Sequence, residues 1–222
     1  MRLDHLSYAA GPEGLEATAD KLGALLGVPF TAGGIHPRWG TQNAILPMRG
    51  GLYIEVVEAL EHPASDKAPF GQAVKARSAI GGGWLGWVVS VDAVRLAEIE
   101  RQLGRAAVDG NRKLPDGTEL EWKQIGVNGM IADPQLPFFL HWISPIELHP
   151  SNVGTDVSLK KIEISGDPQR VRSYMGADLE ERVDYFTGQP AEDVKIEWVA
   201  EHGTPGLVAC QFDTPENGIV RI

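Results

Sequence analysis

Hydrophobic and polar positions alternate in short stretches along the chain, and each series of stretches starts with a strand-like one followed by a helix-like one. The first strand is predicted at 3–10 (LDHLSYAA). A helix follows that ends at Gly27, a typical C-cap, and its apolar face is formed by Leu15, Ala19, Leu22 and Leu26. Three further strands are predicted, a turn-rich one at 31–40 and two more at 41–48 and 51–60. The order is strand, helix, strand, strand, strand.

This order then repeats after a connection over 61–83 that contains prolines and a run of glycines. Trp84–Val91 is predicted as a strand, and Asp92 as the N-cap of a helix that closes at Gly104. Asn111 and Pro115-Asp116-Gly117 are turn residues, and strands are predicted at 118–125 and 137–143. The pattern therefore predicts two βαβββ units, about 1–62 and 82–146, within a domain covering 1–150.

A third series begins after a linker at 148–155. Its strand is predicted at 157–165, and Asp167 caps a helix that starts with Pro168 and runs to Gly176. Strands at 194–200 and 207–212 and a short tail at 218–222 complete it. We expect a shortened third unit over 155–222, and an α+β fold class for the whole chain.

Composition limits the classes of partner. The 222 residues carry a formal net charge of −10, which argues against nucleic-acid and membrane partners, and no run approaches the length of a membrane span. Asp4 and His5 stand where a signal peptide has its apolar core, so we expect a cytoplasmic protein. The single cysteine, Cys210, excludes an intramolecular disulfide and is interpreted as a buried, inert thiol.

Glu55 lies inside an apolar strand, GLYIEVVEAL, and a carboxylate there needs a partner. His141 in PFFLHWI occupies the matching place in the second unit. If the first and last strands of the two units face a shared cleft, His5, Glu55 and His141 converge. Two imidazoles and a carboxylate suit Fe, Mn, Ni or Zn, and three protein ligands leave positions open for substrate. The fourth matching position, Gly86 or Trp87, supplies no ligand.

Alternative interpretations exist for each of these residues. A histidine within a strand is often a hydrogen-bonded core residue, and Glu55 has Arg38 and Arg49 as other possible partners. In the segment HPRWGTQN, Arg38 is a candidate clamp for a substrate anion with His36 and Asn43 beside it, or the segment is simply a turn. The aromatic residues either pack in the core or line a ligand site; they are Trp84, Trp87, Phe138, Phe139 and Trp142.

Other motifs are weaker. The Gly81-Gly82-Gly83 run lacks the context of a phosphate-binding loop, so we expect no nucleotide cofactor. There is no Gly-x-Ser-x-Gly elbow, and Cys210 has no evident histidine partner. Three histidines are predicted to face solvent, namely His62, His149 and His202.

Four segments together resemble the glyoxalase-like domains of the vicinal oxygen chelate superfamily: LDHLSYAA, GGIHPRWGTQNAIL, GLYIEVVE and LPFFLHW. The resemblance covers about residues 1–150. It implies paired βαβββ units around a cup-shaped mixed-sheet cleft, with metal ligands on the first and last strand of each unit. By position these are His5, Glu55 and His141; the family pattern has a ligand where Trp87 or Gly86 stands, and more commonly a Glu at the place of His141.

The expected function is a divalent-metal-dependent lyase, isomerase or dioxygenase acting on a small, anionic, oxygenated substrate. His5 and Glu55 are its predicted catalytic residues, and the predicted substrate-binding residues are His36, Arg38, Asn43, Trp87 and Trp142. The alternative is a metal-free binding or resistance protein that uses the same cleft. Either a monomer or a homodimer is compatible with two units in one chain.

Overall fold

A computed structural model of the protein describes residues 1–180, 191–200 and 203–222. The strands are β1 Arg2–Ala9, β2 Thr31–His36, β3 Thr41–Met48, β4 Leu52–Ala59, β5 Gly83–Ser90, β6 Val108–Lys113, β7 Glu119–Ile125, β8 Phe138–Trp142, β9 Ser158–Ser165, β10 Lys195–Ala200, β11 Gly206–Thr214 and β12 Gly218–Arg221. The helices are α1 Leu15–Leu26, α2 Pro63–Lys67, α3 Pro69–Ala79, α4 Ala93–Leu103, α5 Val127–Ala132 and α6 Pro168–Met175.

The first eight strands form a closed barrel in the order β1-β4-β3-β2-β6-β7-β8-β5. Each βαβββ unit supplies four consecutive staves, and in each unit the first and last strands pair in parallel. The units meet at two seams, an antiparallel pairing of β1 with β5 and a short contact between β2 and β6. The predicted α+β class and the paired βαβββ units are confirmed.

Gly34 makes the second seam possible. It has a φ of +129°, and a Cβ at this position would lie 2.0 Å from the carbonyl oxygen of Lys113 on β6. Only a residue without a side chain tolerates both the backbone conformation and this approach. Ile35 can therefore pair with Lys113, which closes the barrel and brings β6 beside β2.

The local signals for helix ends are confirmed. Asp92 accepts a hydrogen bond from the Arg95 backbone N–H at 2.7 Å and so caps α4. Asp167 caps α6 in the same way, and Gly27 ends α1 in the left-handed conformation with a φ of 71°. No helix in the described part of the chain is long and apolar enough to cross a membrane.

One expected turn is wrong. Asn111 lies in the middle of β6, which pairs along its whole length with β7, from Val108 opposite Gln124 to Lys113 opposite Glu119. The turn is made only by the residues between these strands. The sequence of β6, VDGNRK, has few strand-forming residues, so tertiary pairing decides its conformation.

The barrel separates two hydrophobic regions. Its interior contains a cluster that includes Val57, Val88, Leu120 and Phe138. Its outer face packs against the C-terminal part of the chain through a larger cluster that includes Leu6, Ile54, Trp87 and Phe139. Because side chains alternate along a strand, neighbouring residues of one strand belong to different regions.

The C-terminal unit forms a four-stranded sheet in the order β10-β9-β11-β12, with α6 following its first strand. Trp84 joins this sheet to the barrel: its ring stacks on Phe212 at 6.2 Å between centroids, and its Nε1 donates to the Ile222 carbonyl at 2.9 Å. Cys210 is fully buried here, and burial raises the pKa of its thiol, as expected of an inert core residue. The unit therefore packs on the outside of the barrel.

Candidate functional site

A cavity of about 30 Å³ lies inside the barrel. One part of its wall is polar and contains His5, His36, Glu55, Arg112 and Gln124. The other part is apolar or aromatic and contains Trp39, Tyr53, Phe70, Trp122, Phe138, Leu140 and Trp142. A separate cavity of about 180 Å³ shares the side chains of Trp39, Phe70 and Gln124 with it. The inner cavity and this outer one are therefore divided by only a few side chains.

Glu55 is buried, with 6% of its surface exposed, and both of its carboxylate oxygens have partners. Oε1 accepts a hydrogen bond from Asn43 Nδ2 at 2.7 Å, and Oε2 accepts one from Ser7 Oγ at 3.1 Å. Burial by itself raises the pKa of Glu55, but His36, His5 and the Asn43 hydrogen bond lower it further than burial raises it. Glu55 is therefore a fixed, ionised carboxylate, and its partners are not Arg38 or Arg49.

His5 lines the cavity, and contacts with Asp4 and Tyr53 fix the orientation of its ring. Its Nδ1 lies 2.7 Å from Oδ1 of Asp4, and its ring stacks on Tyr53 with centroids 4.4 Å apart. The pairing of β1 with β5 shifts register between Leu3 and His5, and this bulge brings the Asp4 carboxylate to the ring of its own neighbour. Nε2 of His5 lies 3.8 Å from Oε2 of Glu55, too far for a hydrogen bond. The ring of His5 lines the cavity at this point.

The Asp4 carboxylate has other partners besides His5. It also accepts a hydrogen bond from Trp142 Nε1 at 3.0 Å, and His149 Nε2 lies 3.4 Å from its Oδ2. Burial raises the pKa of Asp4, but the hydrogen bonds from His149 and His5 outweigh burial, so the pKa lies well below its usual range. The expectation that His149 faces solvent is wrong: it is 4% exposed and its Nδ1 lies 2.6 Å from Ser151 Oγ.

His36 approaches Glu55 from the other side. Its Nδ1 lies 2.9 Å from Thr41 Oγ1, and its Nε2 lies 3.3 Å from Asn43 Nδ2 and 3.7 Å from Oε1 of Glu55. Burial lowers the pKa of His36 to about 4, although the charge of Glu55 acts in the opposite direction. His36 is therefore a neutral imidazole at pH 7.

Arg112 completes the polar wall and was not predicted from the sequence. It lies on β6, is 5% exposed, and lines the cavity. Its Nε has no hydrogen-bond partner. Glu55 and Tyr53 act on it only through space, and burial lowers its pKa. Gly110 and Arg112 lie two residues apart and therefore share one face of β6. The sequence analysis missed this because it predicted a turn at Asn111 instead of a strand.

The remaining predicted residues have three different placements. Two of them are bonded to residues of the site: Asn43 donates a hydrogen bond to Glu55, and Trp142 donates one to Asp4. Arg38 is exposed and lies over the ring of its neighbour Trp39, with Cζ 5.9 Å from the ring centroid. His62 is exposed as predicted and caps α2, and His202 lies outside the described residues.

Two placements correct the predicted site, one for the metal ligand His141 and one for the substrate-binding residue Trp87. Phe138, Leu140 and Trp142 line the cavity from β8, so His141 between them faces outward, where its Nδ1 lies 2.9 Å from the Val91 carbonyl oxygen. Trp87 likewise packs outside the barrel and donates through Nε1 to the Gln135 carbonyl at 3.0 Å. Alternation along the strand decides both cases.

The predicted divalent metal does not fit these residues. The second unit offers apolar side chains to the interior, Val88 on β5 and Leu140 on β8, from the two strands on which the resemblance implies ligands. Arg112 lines the same cavity and acts electrostatically on Glu55, so it opposes a second cation there. Among the described residues, no group of three or more His, Cys, Asp or Glu side chains is arranged to bind a metal ion.

Eight staves built from two βαβββ units, with first and last strands paired, define a protein of the vicinal oxygen chelate superfamily. The chain belongs to the family described as the glyoxalase-like domain, whose model matches residues 3–179. No curated protein matches the sequence.

The chain is similar to several solved structures at low sequence identity. A hypothetical protein from Staphylococcus aureus is 14% identical, covers 99% of this chain and 98% of its own, and superimposes with a TM-score of 0.68. Methylmalonyl-CoA epimerase from Streptomyces coelicolor, in complex with 2-nitronate-propionyl-CoA, is 16% identical over 65% of this chain and 99% of its own, with a TM-score of 0.41.

Proposed function

We propose that the protein is an isomerase or lyase that binds a small oxygenated molecule inside the barrel and moves a proton on it by acid–base catalysis. The observation that supports this most directly is the Asp4–His5 pair, with 2.7 Å between Oδ1 and Nδ1 and with Nε2 on the cavity side. An ionised aspartate can only accept, so it holds the proton on Nδ1 and leaves the lone pair of Nε2 for the substrate.

His5 is the proposed general base, and Glu55 supports it. When Nε2 takes a proton from a carbon next to a carbonyl group, the ring becomes positive between two carboxylates, Asp4 on one side and Glu55 at 3.8 Å on the other. The same proton can then return to a different position of the substrate, which is an isomerisation. His36 stays neutral and keeps Glu55 oriented together with Asn43.

The experiment that tests this proposal measures the exchange of substrate C–H hydrogen for deuterium. Purified protein is incubated in D2O with a panel of 2-oxo acids and 2-hydroxy aldehydes of two to six carbons, and loss of the exchangeable C–H signal is read by proton NMR. We expect catalysed exchange for at least one member, reduced about 100-fold or more in His5→Gln. The matched control is His62→Gln, an exposed histidine outside the cavity, which should exchange at the wild-type rate.

The metal-dependent form of this activity, expected from the family resemblance, is tested in the same assay. Protein dialysed against EDTA is compared with protein to which Mn²⁺, Ni²⁺, Zn²⁺ or anaerobic Fe²⁺ has been added. Retention of exchange after EDTA supports the proposal. Exchange that appears only with metal overturns it in favour of a metal-dependent enzyme. If panel members bind without exchange in any arm, the protein is a small-molecule binding protein, the second function the aromatic wall suits.

A further inference from the structure

We propose that Arg112 is the binding site for the carboxylate of a small organic acid, which makes the substrate an anion anchored on the wall opposite His5. This rests on the proposed function for the location of the ligand, and it adds the chemical class that the cavity selects. Arg112 belongs to none of the strands from which the family resemblance implies ligands.

The guanidinium of Arg112 lacks a partner among the described residues. The described residues contain no hydrogen bond or ion pair to the guanidinium, and its Nε is buried without an acceptor. Buried arginines are normally paired, because an unpaired charge loses its hydration without compensation. A guanidinium that lines a cavity in this state is arranged to be paired by something that enters the cavity.

Glu55 is the carboxylate that lines the same cavity as Arg112. Its two oxygens are occupied by Asn43 and Ser7, at 2.7 and 3.1 Å. Glu55 therefore balances the charge of Arg112 through space without occupying its N–H groups. A planar fork of N–H donors matches a carboxylate in a bidentate geometry, and this geometry favours a carboxylate over a monatomic anion.

The position of Arg112 relative to His5 also suits an anionic substrate. In the ring of eight strands, β1 and β6 are separated by three staves in either direction. His5 and Arg112 consequently stand on opposite walls and both line the cavity. A carboxylate on Arg112 directs the adjoining carbons of a short acid toward Nε2 of His5, which is the arrangement that proton removal next to a carboxylate or carbonyl requires.

The volume of the cavity limits the size of the ligand. The inner cavity has a volume of about 30 Å³ and is separated from the outer cavity of about 180 Å³ by Trp39, Phe70 and Gln124. Gln124 Oε1 accepts from Trp122 Nε1 at 2.9 Å, so its amide N–H groups are the part that can serve a second ligand oxygen. A head group of a few heavy atoms fits inside, and any longer chain has to extend toward the outer cavity.

The test measures binding directly, without any assay of turnover. Wild type, Arg112→Gln and Lys113→Gln are titrated with acetate, propionate and pyruvate, with acetamide as the neutral analogue and chloride at equal ionic strength. Calorimetry gives affinity, and the chemical shift of the Arg112 Nε–H group reports contact. Lys113→Gln is a matched control because it removes the same charge from the exposed face of the same strand.

We expect at least one of the three carboxylates to bind wild type and Lys113→Gln equally, and to bind Arg112→Gln about 30-fold or more weakly. Acetamide should not bind. Arg112→Gln should also keep or raise the melting temperature of the free protein, because it removes an unpaired buried charge, whereas a structural arginine would lower it when removed. Arg112→Lys should recover part of the affinity.

Three results overturn the proposal: equal binding of the carboxylates to wild type and Arg112→Gln, equal effects of chloride and the carboxylates, or no binding of any probe to a folded wild type. None of these bears on deuterium exchange, which tests His5. Exchange on a neutral carbonyl compound without carboxylate binding would leave the proposed function standing and remove only this assignment. Carboxylate binding without exchange would do the reverse.

Discussion

The side chains of Asp4 and His5, consecutive residues of one strand, are joined by a 2.7 Å contact between Oδ1 and Nδ1. Consecutive residues of a regular strand point to opposite faces, so this contact requires the bulge that shifts the pairing of β1 with β5 at this point. An irregularity of one residue thus gives the barrel an aspartate–histidine pair that no alternating pattern would contain.

The Asp4→Asn substitution should uncouple this pair. We expect deuterium exchange to fall about 100-fold or more, because the tautomer of His5 is no longer fixed. Nitrogen NMR of the histidine side chains checks the cause, since the variant should show a mixture of His5 tautomers. Unchanged exchange with a mixed tautomer would remove Asp4 from the mechanism.

Asp4→Asn should also change the dependence of stability on pH. The pKa of Asp4 in the folded protein lies below the unfolded value of 3.8, so its contribution is present above about pH 4 and is lost as the pH falls below it. We expect the variant to lose about 3 kcal/mol of unfolding free energy at pH 7. Urea titrations at pH 7 and pH 3 should show the difference between the two proteins narrowing at the lower pH.

His36 should account for a second loss of stability, at milder pH. Its pKa is about 4 in the folded protein and 6.5 in the unfolded chain, so the unfolded chain binds the extra proton first. Stability should therefore fall as the pH decreases from about 6.5 toward 4, by up to roughly 3 kcal/mol. His36→Gln should flatten the curve in this window, and urea titrations at half-unit intervals measure it. A parallel curve would contradict the assignment.

The buried His149 should matter more than its position in a linker suggests. His149→Ala removes a partner of Asp4 and of Ser151, and we expect a loss of about 2 kcal/mol in unfolding free energy. His62→Ala, which removes an exposed helix cap, should cost less than about 1 kcal/mol. Equal losses would show that burial of His149 contributes nothing.

Gly34 and Gly117 form a matched pair for testing the seam. Both have a positive φ, +129° and +88°, but an added Cβ meets the Lys113 carbonyl at the first and nothing within 4 Å at the second. Gly117→Ala should cost about 1 kcal/mol from backbone strain. Gly34→Ala should cost several times more, because β2 and β6 must move apart. Thermal unfolding distinguishes the two, and equal losses would mean that the seam adjusts freely.

Much of this fold follows from local signals in the sequence. Helices α1, α4 and α6 were predicted because Gly27, Asp92 and Asp167 are strong capping residues, whereas α2 and α5 were not predicted. The barrel strands other than β6 were predicted because their alternation reflects one face in the barrel and one outside. Glu55 was selected as a candidate site residue because a carboxylate conflicts with its apolar strand. Each of these inferences depends only on residues close in sequence.

The inferences that failed depended on which way a strand faces. His141 was matched to Glu55 by its place in the unit, but Leu140 and Trp142 take the cavity side, and a shift of one residue reverses every side chain. Arg112 lies on a strand with no apolar face, and His149 precedes a proline in a connecting segment. Neither position carries a local pattern; only the closed barrel brings these residues to Asp4 and Glu55.

The β2–β6 seam, which joins the units through Ile35 and Lys113, also divides two kinds of chemistry. The proposed general base, His5, and the residues proposed to support it, Asp4, His36 and Glu55, come from the first unit. Arg112 and the apolar wall of β8 come from the second. On the proposed function, the first unit supplies the groups for proton transfer and the second unit supplies the group that binds the substrate. If both proposals hold, we expect substitutions at the cavity positions of the second unit to change which ligand binds, while His5 and its partners in the first unit stay as they are.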